Sequence, residues 1–389
     1  MRSQVKIGDR VEVEIGAIAH GGHCVARHDG RVIFVRHSIP GERVIVEITE
    51  VTSKFARGDA IEILTPSPER KNPECRYATP QGCGGCDFQH ISLSYQRELK
   101  TSVIKEQFER VAKMSVEIKV EEVKPTERWR ARMDFTVSPN RKLALYGSRS
   151  HTLIEIDSCQ IADSLIDVGA INTRKLPIGA KVHVSVGNND DLNVDIEGRE
   201  SRSLLKQRVG AKEFSISPTS FWQSHAMAPE ILSNVVRDFS EAKSGDHIFD
   251  LYGGVGLFTA SLLPMVGVGG RITLIESDEQ ATTDARRNFA ADPNVEIIEE
   301  KVERSLHRFS RADIVIADPP RSGLGAKVCD DIVELRPRTI VYVSCDPSSL
   351  ARDARTLVDA GYEMEAIRAF DLFPMTHHIE CVARFISRQ

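Results

Sequence analysis

Three groups of residues in this chain have types and spacings that can do chemistry. Cys75, Cys83 and Cys86 lie within twelve residues, with Gly84 and Gly85 between the last two, and Cys159 stands alone in Ile156-Asp-Ser-Cys-Gln160. The two glycines let the backbone curl so that both flanking sulfurs face one ion or cluster. Four thiolates suit an iron–sulfur cluster or structural zinc. Zinc sites more often come as two CxxC pairs, so three-plus-one leans towards [4Fe–4S], with unliganded thiols as the third reading. The second group begins at Phe249-Asp-Leu-Tyr252-Gly-Gly-Val-Gly256, a strand entering a glycine turn that brings backbone close to a ligand. Glu276 ends the next strand, where a carboxylate takes ribose hydroxyls. No P-loop lysine or second phosphate cradle accompanies it, so adenosine without phosphates, as in S-adenosylmethionine, fits better than a dinucleotide. The third group is Asp318 in Asp-Pro-Pro-Arg321, Cys345 after the strand Thr339–Ser344, and Glu380 opening the last strand. Singly these read as a helix cap, a buried thiol and a strand-end charge. Together they mark one crevice.

The elements that must position them fall into three stretches. Residues 1–66 hold short strands near 11–15, 31–35, 43–48 and 59–64, with turns at Gly21-Gly22, Asp29-Gly30 and Pro40-Gly41. That pattern predicts a small OB-like β-barrel. Thr65-Pro-Ser-Pro68 reads as a linker. Residues 67–215 contain the cysteines, a helix between about Ser92 and Met114, and a strand-rich stretch over 128–210. Residues 216–389 alternate helices with strands near 247–252, 272–276, 295–298, 312–317, 339–344 and 380–386. This predicts a mostly parallel, doubly wound sheet in a multidomain α/β protein.

Charge divides the same way. The net charge of −5 resolves into 0, +3 and −8 for the three stretches. Within 126–150, Arg128, Arg130, Arg132, Arg141, Lys142 and Arg149 outweigh Glu127 and Asp134, with Trp129 among them. The stretch reads either as a nucleic-acid contact or as a solvated basic face. Met1–Lys6 lacks the apolar core of a signal peptide, and Pro264, Gly267 and Gly269 break the longest apolar run. A cytoplasmic protein with reduced thiols is expected, with no membrane partner.

These motifs in combination resemble the RNA uracil-5-methyltransferases, specifically the iron–sulfur, barrel-containing branch typified by bacterial 23S rRNA (uracil-5)-methyltransferase. The likeness runs end to end. It covers a TRAM barrel around Phe34-Val-Arg-His-Ser-Ile-Pro-Gly-Glu-Arg43, the Cys-Gly-Gly-Cys loop with Cys159, and Phe221-Trp-Gln223. It continues through Asp250-Leu-Tyr252, Asp318-Pro-Pro-Arg321, Ser344-Cys-Asp-Pro347 and Phe373-Pro…His378-Ile-Glu380. The resemblance implies a Rossmann-like class I methyltransferase domain at the C-terminus and a central domain bearing the cluster. Cys345 would be the nucleophile and Glu380 the base. Gln223, Tyr252, Glu276 and Asp318 would hold S-adenosylmethionine. Cys75, Cys83, Cys86 and Cys159 would hold [4Fe–4S]. The partner is expected to be RNA, 23S rRNA first and the tRNA T-loop as the alternative, and the enzyme a monomer.

Four departures stand out. The Cys75–Cys83 loop is longer than usual, Gly253 and His225 replace a common Cys and Asn, and Asp346 replaces the usual Asn after the nucleophile. A carboxylate beside Cys345 is expected to raise its pKa. Other classes explain less. A non-catalytic RNA-binding protein leaves Cys345 and Glu380 without purpose, and an adenine amino-methyltransferase needs no cysteine. A radical methylthiotransferase groups its cluster cysteines more closely.

Overall fold

The N-terminal stretch forms a six-stranded sheet from β1 (Arg10–Glu14), β2 (Ile18–Ala19), β3 (His23–His28), β4 (Arg31–Arg36), β5 (Arg43–Val51) and β6 (Phe55–Thr65). Their order is β1-β5-β6-β4-β3-β2. Alternation drives it: in β1, Val11 and Val13 are buried while Arg10, Glu12 and Glu14 face water. Asp29-Gly30, both at positive φ, make the tight turn between β3 and β4. Hydrogen bonds between Gly16 and Val25 and between Val25 and Ala17 close the sheet on itself. Strands β2 and β3 carry no clean alternation and were not expected.

The computed structural model describes residues 5–148, 150–199 and 203–388, so Arg149 of the basic stretch lies outside the described residues. The expected linker is tied down: Glu42, fully buried, accepts from the Ser67 N–H at 3.1 Å and from Arg70 at 2.6 Å.

Helix α1 (Leu93–Gln107) starts where Ser92 accepts the Tyr95 N–H, and it runs into a π-helical turn, Phe108–Ala112. After β7 (Val120–Glu122) comes a five-stranded antiparallel sheet of β8 (Arg132–Val137), β9 (Leu143–Tyr146), β10 (Leu153–Glu155), β11 (Lys181–Val186) and β12 (Leu192–Ile196), with α2 (Val168–Ile171) between β10 and β11. A hairpin, β13 (Leu205–Val209) and β14 (Lys212–Ile216), leads into the C-terminal half.

There, β15 (His247–Leu251), β16 (Arg271–Glu276), β17 (Val295–Glu299), β18 (Ile314–Ala317), β19 (Thr339–Ser344), β20 (Tyr362–Asp371) and β21 (Glu380–Ser387) build an eight-stranded sheet with β7. The order is β17-β16-β15-β18-β19-β21-β20-β7, parallel from β17 to β19, with β21 antiparallel to both neighbours. Its continuous apolar strands are buried on both faces, as a covered parallel sheet requires. Helices α3 (Ala228–Ser240) and α4 (Leu257–Val266) cover one face with α5 (Glu279–Asn288). The short α6 (Val302–Ser305), α7 (Gly325–Glu334) and α8 (Pro347–Asp359) join α1 on the other. Residues 93–122 therefore pack with the C-terminal half, although they precede the middle sheet.

Candidate active site

Ligands of such sheets sit outside the carboxyl ends of the parallel strands. The ends of β15, β16, β18 and β19 open here on one cavity of about 880 Å³. Gln223, Tyr252, Glu276, Asp318, Cys345 and Glu380 all line it. Because β21 runs antiparallel to β19 with Ser344 opposite Cys381, Cys345 and Glu380 are the next residues outward on adjacent strands.

Burial sets the electrostatics. It pushes the Cys345 thiol up to about 11, with the Glu380 and Asp318 carboxylates adding to the rise and the Arg321 guanidinium opposing it. Glu380 is held well above the usual carboxylate range by burial and by Asp318, again against Arg321. Asp318 rises to about 7 through burial and the neighbouring Asp250. Asp250 itself rises to about 6 by burial, although its Oδ2 accepts from the Thr259 N–H at 2.9 Å and hydroxyl at 2.6 Å. Burial and mutual repulsion among these acids disfavour their full ionisation.

Glu276 is pre-oriented by backbone. Its Oε1 accepts from the N–H groups of Ser277 (2.6 Å) and Asp278 (2.8 Å), and Oε2 accepts from Gly254 at 3.1 Å. One lone pair of Oε2 stays open for a hydroxyl donor. Gly256, at φ +96°, could carry no side chain, since a Cβ would stand 2.2 Å from the Phe289 ring.

Two neighbours had no role from sequence. Arg321 stands 3.3 Å from His378 Nε2, and burial, His377 and Arg321 push that imidazole down to about 3. Both line the cavity. Arg321 lay inside a recognised motif, but only its effect on Cys345 and Glu380 shows what it does. The segment between β20 and β21 is anchored by pairs far apart in the chain. Lys100 Nζ, fully buried, meets Asp371 at 2.6 Å and donates to the Phe373 carbonyl at 3.1 Å. Asp87 meets His377 Nδ1 at 2.5 Å, and Gln96 accepts the Met375 N–H at 2.8 Å. Together they fix the approach to Glu380.

Comparison with known proteins decides the family. The TRAM domain matches residues 4–61, and the tRNA (uracil-5-)-methyltransferase domain matches residues 205–388. A Streptomyces avermitilis protein named as an RNA methyltransferase is 38% identical over 97% of this chain and 98% of its own. A second, from Streptomyces coelicolor, is 37% identical over 97% and 93%. The chain belongs to the RNA (uracil-5-)-methyltransferase family. The crystal structure of Pyrococcus abyssi tRNA (uracil-54, C5)-methyltransferase with S-adenosyl-L-homocysteine shares the fold, with a TM-score of 0.74 and 24% identity, covering 97% of this chain and all of that one.

The departures of this RNA methyltransferase from its family now have local explanations. At Gly253, a Cβ would lie 2.6 Å from Leu274, which fills the space. His225 is fully buried, stacked on Trp129 at 5.7 Å, with Nε2 facing the Pro125 carbonyl and Nδ1 accepting the Met227 N–H. It is a satisfied core histidine, and burial lowers it to about 4. Trp129 is likewise in the core and does not face RNA. Among the described arginines of the basic stretch, Arg132 and Arg141 donate to the Pro218 and Leu176 carbonyls, whereas Arg130 lines the cavity and Arg128 is exposed. Burial works against the Asp346 carboxylate, but His20 and the Ser349 and Ser348 N–H groups outweigh it and hold it below its usual range. Its effect on Cys345 ranks behind burial, Glu380 and Asp318, so the expected rise owes little to it.

Cys75, Cys83, Cys86 and Cys159 line a separate cavity of about 20 Å³ with Tyr77, Gln89 and Ile156. Burial raises Cys83, Cys86 and Cys159, and the thiols raise one another. The Gly85 N–H donates to Cys83 Sγ at 3.3 Å, and Gln89 Oε1 accepts the Cys75 N–H at 3.1 Å. Neither Gly84 nor Gly85 takes a positive φ. Gly84 is needed because a Cβ would come within 2.8 Å of Ser148 Cα. The long Cys75–Cys83 loop is pinned by Arg76 and Tyr77 to Asp157. Among the described residues, no three His, Cys, Asp or Glu side chains are drawn together around a single metal ion. No helix among the described residues is long and apolar enough to cross a membrane.

Proposed function

We propose that this enzyme methylates C5 of a uridine in cytoplasmic RNA through a covalent bond between Cys345 and C6. What carries the reading is that Cys345 and Glu380 face the same cavity as Gln223, Tyr252, Glu276 and Asp318. Uracil C5 is too weak a nucleophile to react unaided. Cys345 Sγ adds to C6 and moves the C5=C6 electron pair towards the C4 oxygen. S-Adenosylmethionine, its ribose on Glu276, would supply the methyl group: the C5–CH3 bond would form as the S–CH3 bond breaks, with S-adenosyl-L-homocysteine as the leaving group. Arg321 offsets the negative charge on Cys345 and Glu380. Glu380 takes the C5 proton, C5=C6 re-forms, and the Cys345 thiolate leaves. A stacked uracil hides C6, so the base must be flipped or unpaired.

The RNA target we assign first is 23S rRNA, on the TRAM barrel and four-cysteine layout; the barrel and the open Arg128–Arg130 edge would contact it. A tRNA T-loop uridine is the second reading, favoured by the tRNA (uracil-5-)-methyltransferase domain match. We assign Cys75, Cys83, Cys86 and Cys159 to a [4Fe–4S] cluster with a structural role, since four half-buried thiols line one cavity and methyl transfer needs no redox step.

RNA containing 5-fluorouridine, whose C5 carries no proton to remove, should trap a covalent complex that Cys345→Ala cannot form. Normal methylation by that variant would refute the mechanism. Mapping 5-methyluridine in rRNA and tRNA with and without the gene separates the targets. Anaerobically purified protein should be brown and contain iron; colourless protein with stoichiometric zinc would overturn the cluster.

A further inference from the structure

The barrel reaches into the catalytic centre. Its turn between β2 and β3, His20-Gly21-Gly22, stands beside both reactive segments. His20 Nε2 lies 2.8 Å from Asp346 Oδ2, and Asp346 directly follows Cys345. The other carboxylate oxygen of Asp346 accepts the N–H groups of Ser348 (3.0 Å) and Ser349 (2.8 Å), capping α8. One side chain thus joins the barrel, the end of β19 and the start of α8. Gly22 sits flush on the other segment: at φ +79°, a Cβ there would lie 2.6 Å from His377 Cβ and 3.2 Å from Asp87 Oδ2. His377 is three residues before Glu380. The turn, Cys345, Asp346 and His377 enclose a second cavity of about 270 Å³ on the barrel side of the thiol.

We propose that the turn at His20–Gly22 is a positioning element for Cys345 and Glu380, with His20 acting through Asp346 as the strut to the nucleophile. The inference rests on the covalent reading above. A barrel that only grips RNA would need no hydrogen bond to the residue after the nucleophile. A small misplacement of a reacting group is enough to slow a reaction by orders of magnitude.

The test uses the full-length protein. His20→Ala should lower kcat about tenfold, leave KM for RNA within about twofold, and change the rate at which iodoacetamide alkylates Cys345 without RNA, measured by mass spectrometry. His20→Gln, which keeps a donor, should recover most of kcat. On an Asp346→Ala background, loss of His20 should have no further effect. A melting temperature equal to wild type would show that His20→Ala folds. A rise in KM alone, unchanged kcat and alkylation, or additive losses with Asp346→Ala would each overturn the strut. Failure of the covalent reading shows elsewhere, as turnover by Cys345→Ala. The alkylation readout does not depend on turnover.

Discussion

Five of the eight cysteines lie in two settings that burial treats alike and neighbours treat differently. Around the small cavity, Cys83, Cys86 and Cys159 are raised by burial and by neighbouring thiols, while backbone N–H groups and the Arg130 guanidinium oppose the rise at Cys83 and Cys159. At the large cavity, Cys345 is raised by burial and then by two carboxylates, and a guanidinium pulls it back. As proposed cluster ligands, the first set would need a cationic centre shared among the thiols to ionise together. As a proposed nucleophile, the second need ionise only one thiol, beside Arg321. A thiol's surroundings, more than its exposure, separate ligand from nucleophile.

The largest test of this contrast is a pair of variants. On the proposed cluster assignment, Cys345→Ala should lower turnover at least about a thousandfold and keep iron bound. Cys83→Ala should lose iron, and its remaining activity should track the fraction that stays folded. Equal iron loss in both would erase the distinction. Next comes pH. Below a thiol pKa of about 11, the thiolate fraction rises tenfold per unit, so Cys345 alkylation should climb about tenfold per unit between pH 7 and 9.5. A plateau near pH 7 would place the pKa far lower. Arg321→Ala removes the opposing cation, so at fixed pH alkylation should fall severalfold. The smallest effect belongs to Asp346→Asn, which keeps an acceptor for the α8 cap. It should change alkylation less than about twofold.

Much of this was legible because the catalytic half is written in short, strong signals. Continuous apolar runs such as Ile314–Ala317 and Thr339–Ser344 end in Asp318 and Cys345, and strand ends are where such sheets bind. Strand β20 was missed for a physical reason: between Met364 and Ala366 its register shifts at a bulge, and its apolar residues do not alternate. The anchoring pairs Lys100–Asp371, Asp87–His377 and His20–Asp346 join residues 271, 290 and 326 positions apart, and no local pattern announces them. Trp129 misled in the opposite sense. It sits among the arginines of a stretch readable as a nucleic-acid contact or a solvated face, yet it stacks on His225 in the core.

Strand β7 has a consequence for anyone dividing the protein. It pairs with β20 in parallel, and Glu121 bridges to Arg368 with two 2.8 Å bonds, so the outer edge of the catalytic sheet is supplied from upstream of the middle domain. The methyltransferase unit is discontinuous, interrupted by the five-stranded sheet. A fragment beginning at residue 205, where the family domain match starts, would expose the ten-residue β20 and the apolar surface that α1 covers. Bare edges of that kind seek partners, and such a fragment should be found in the pellet.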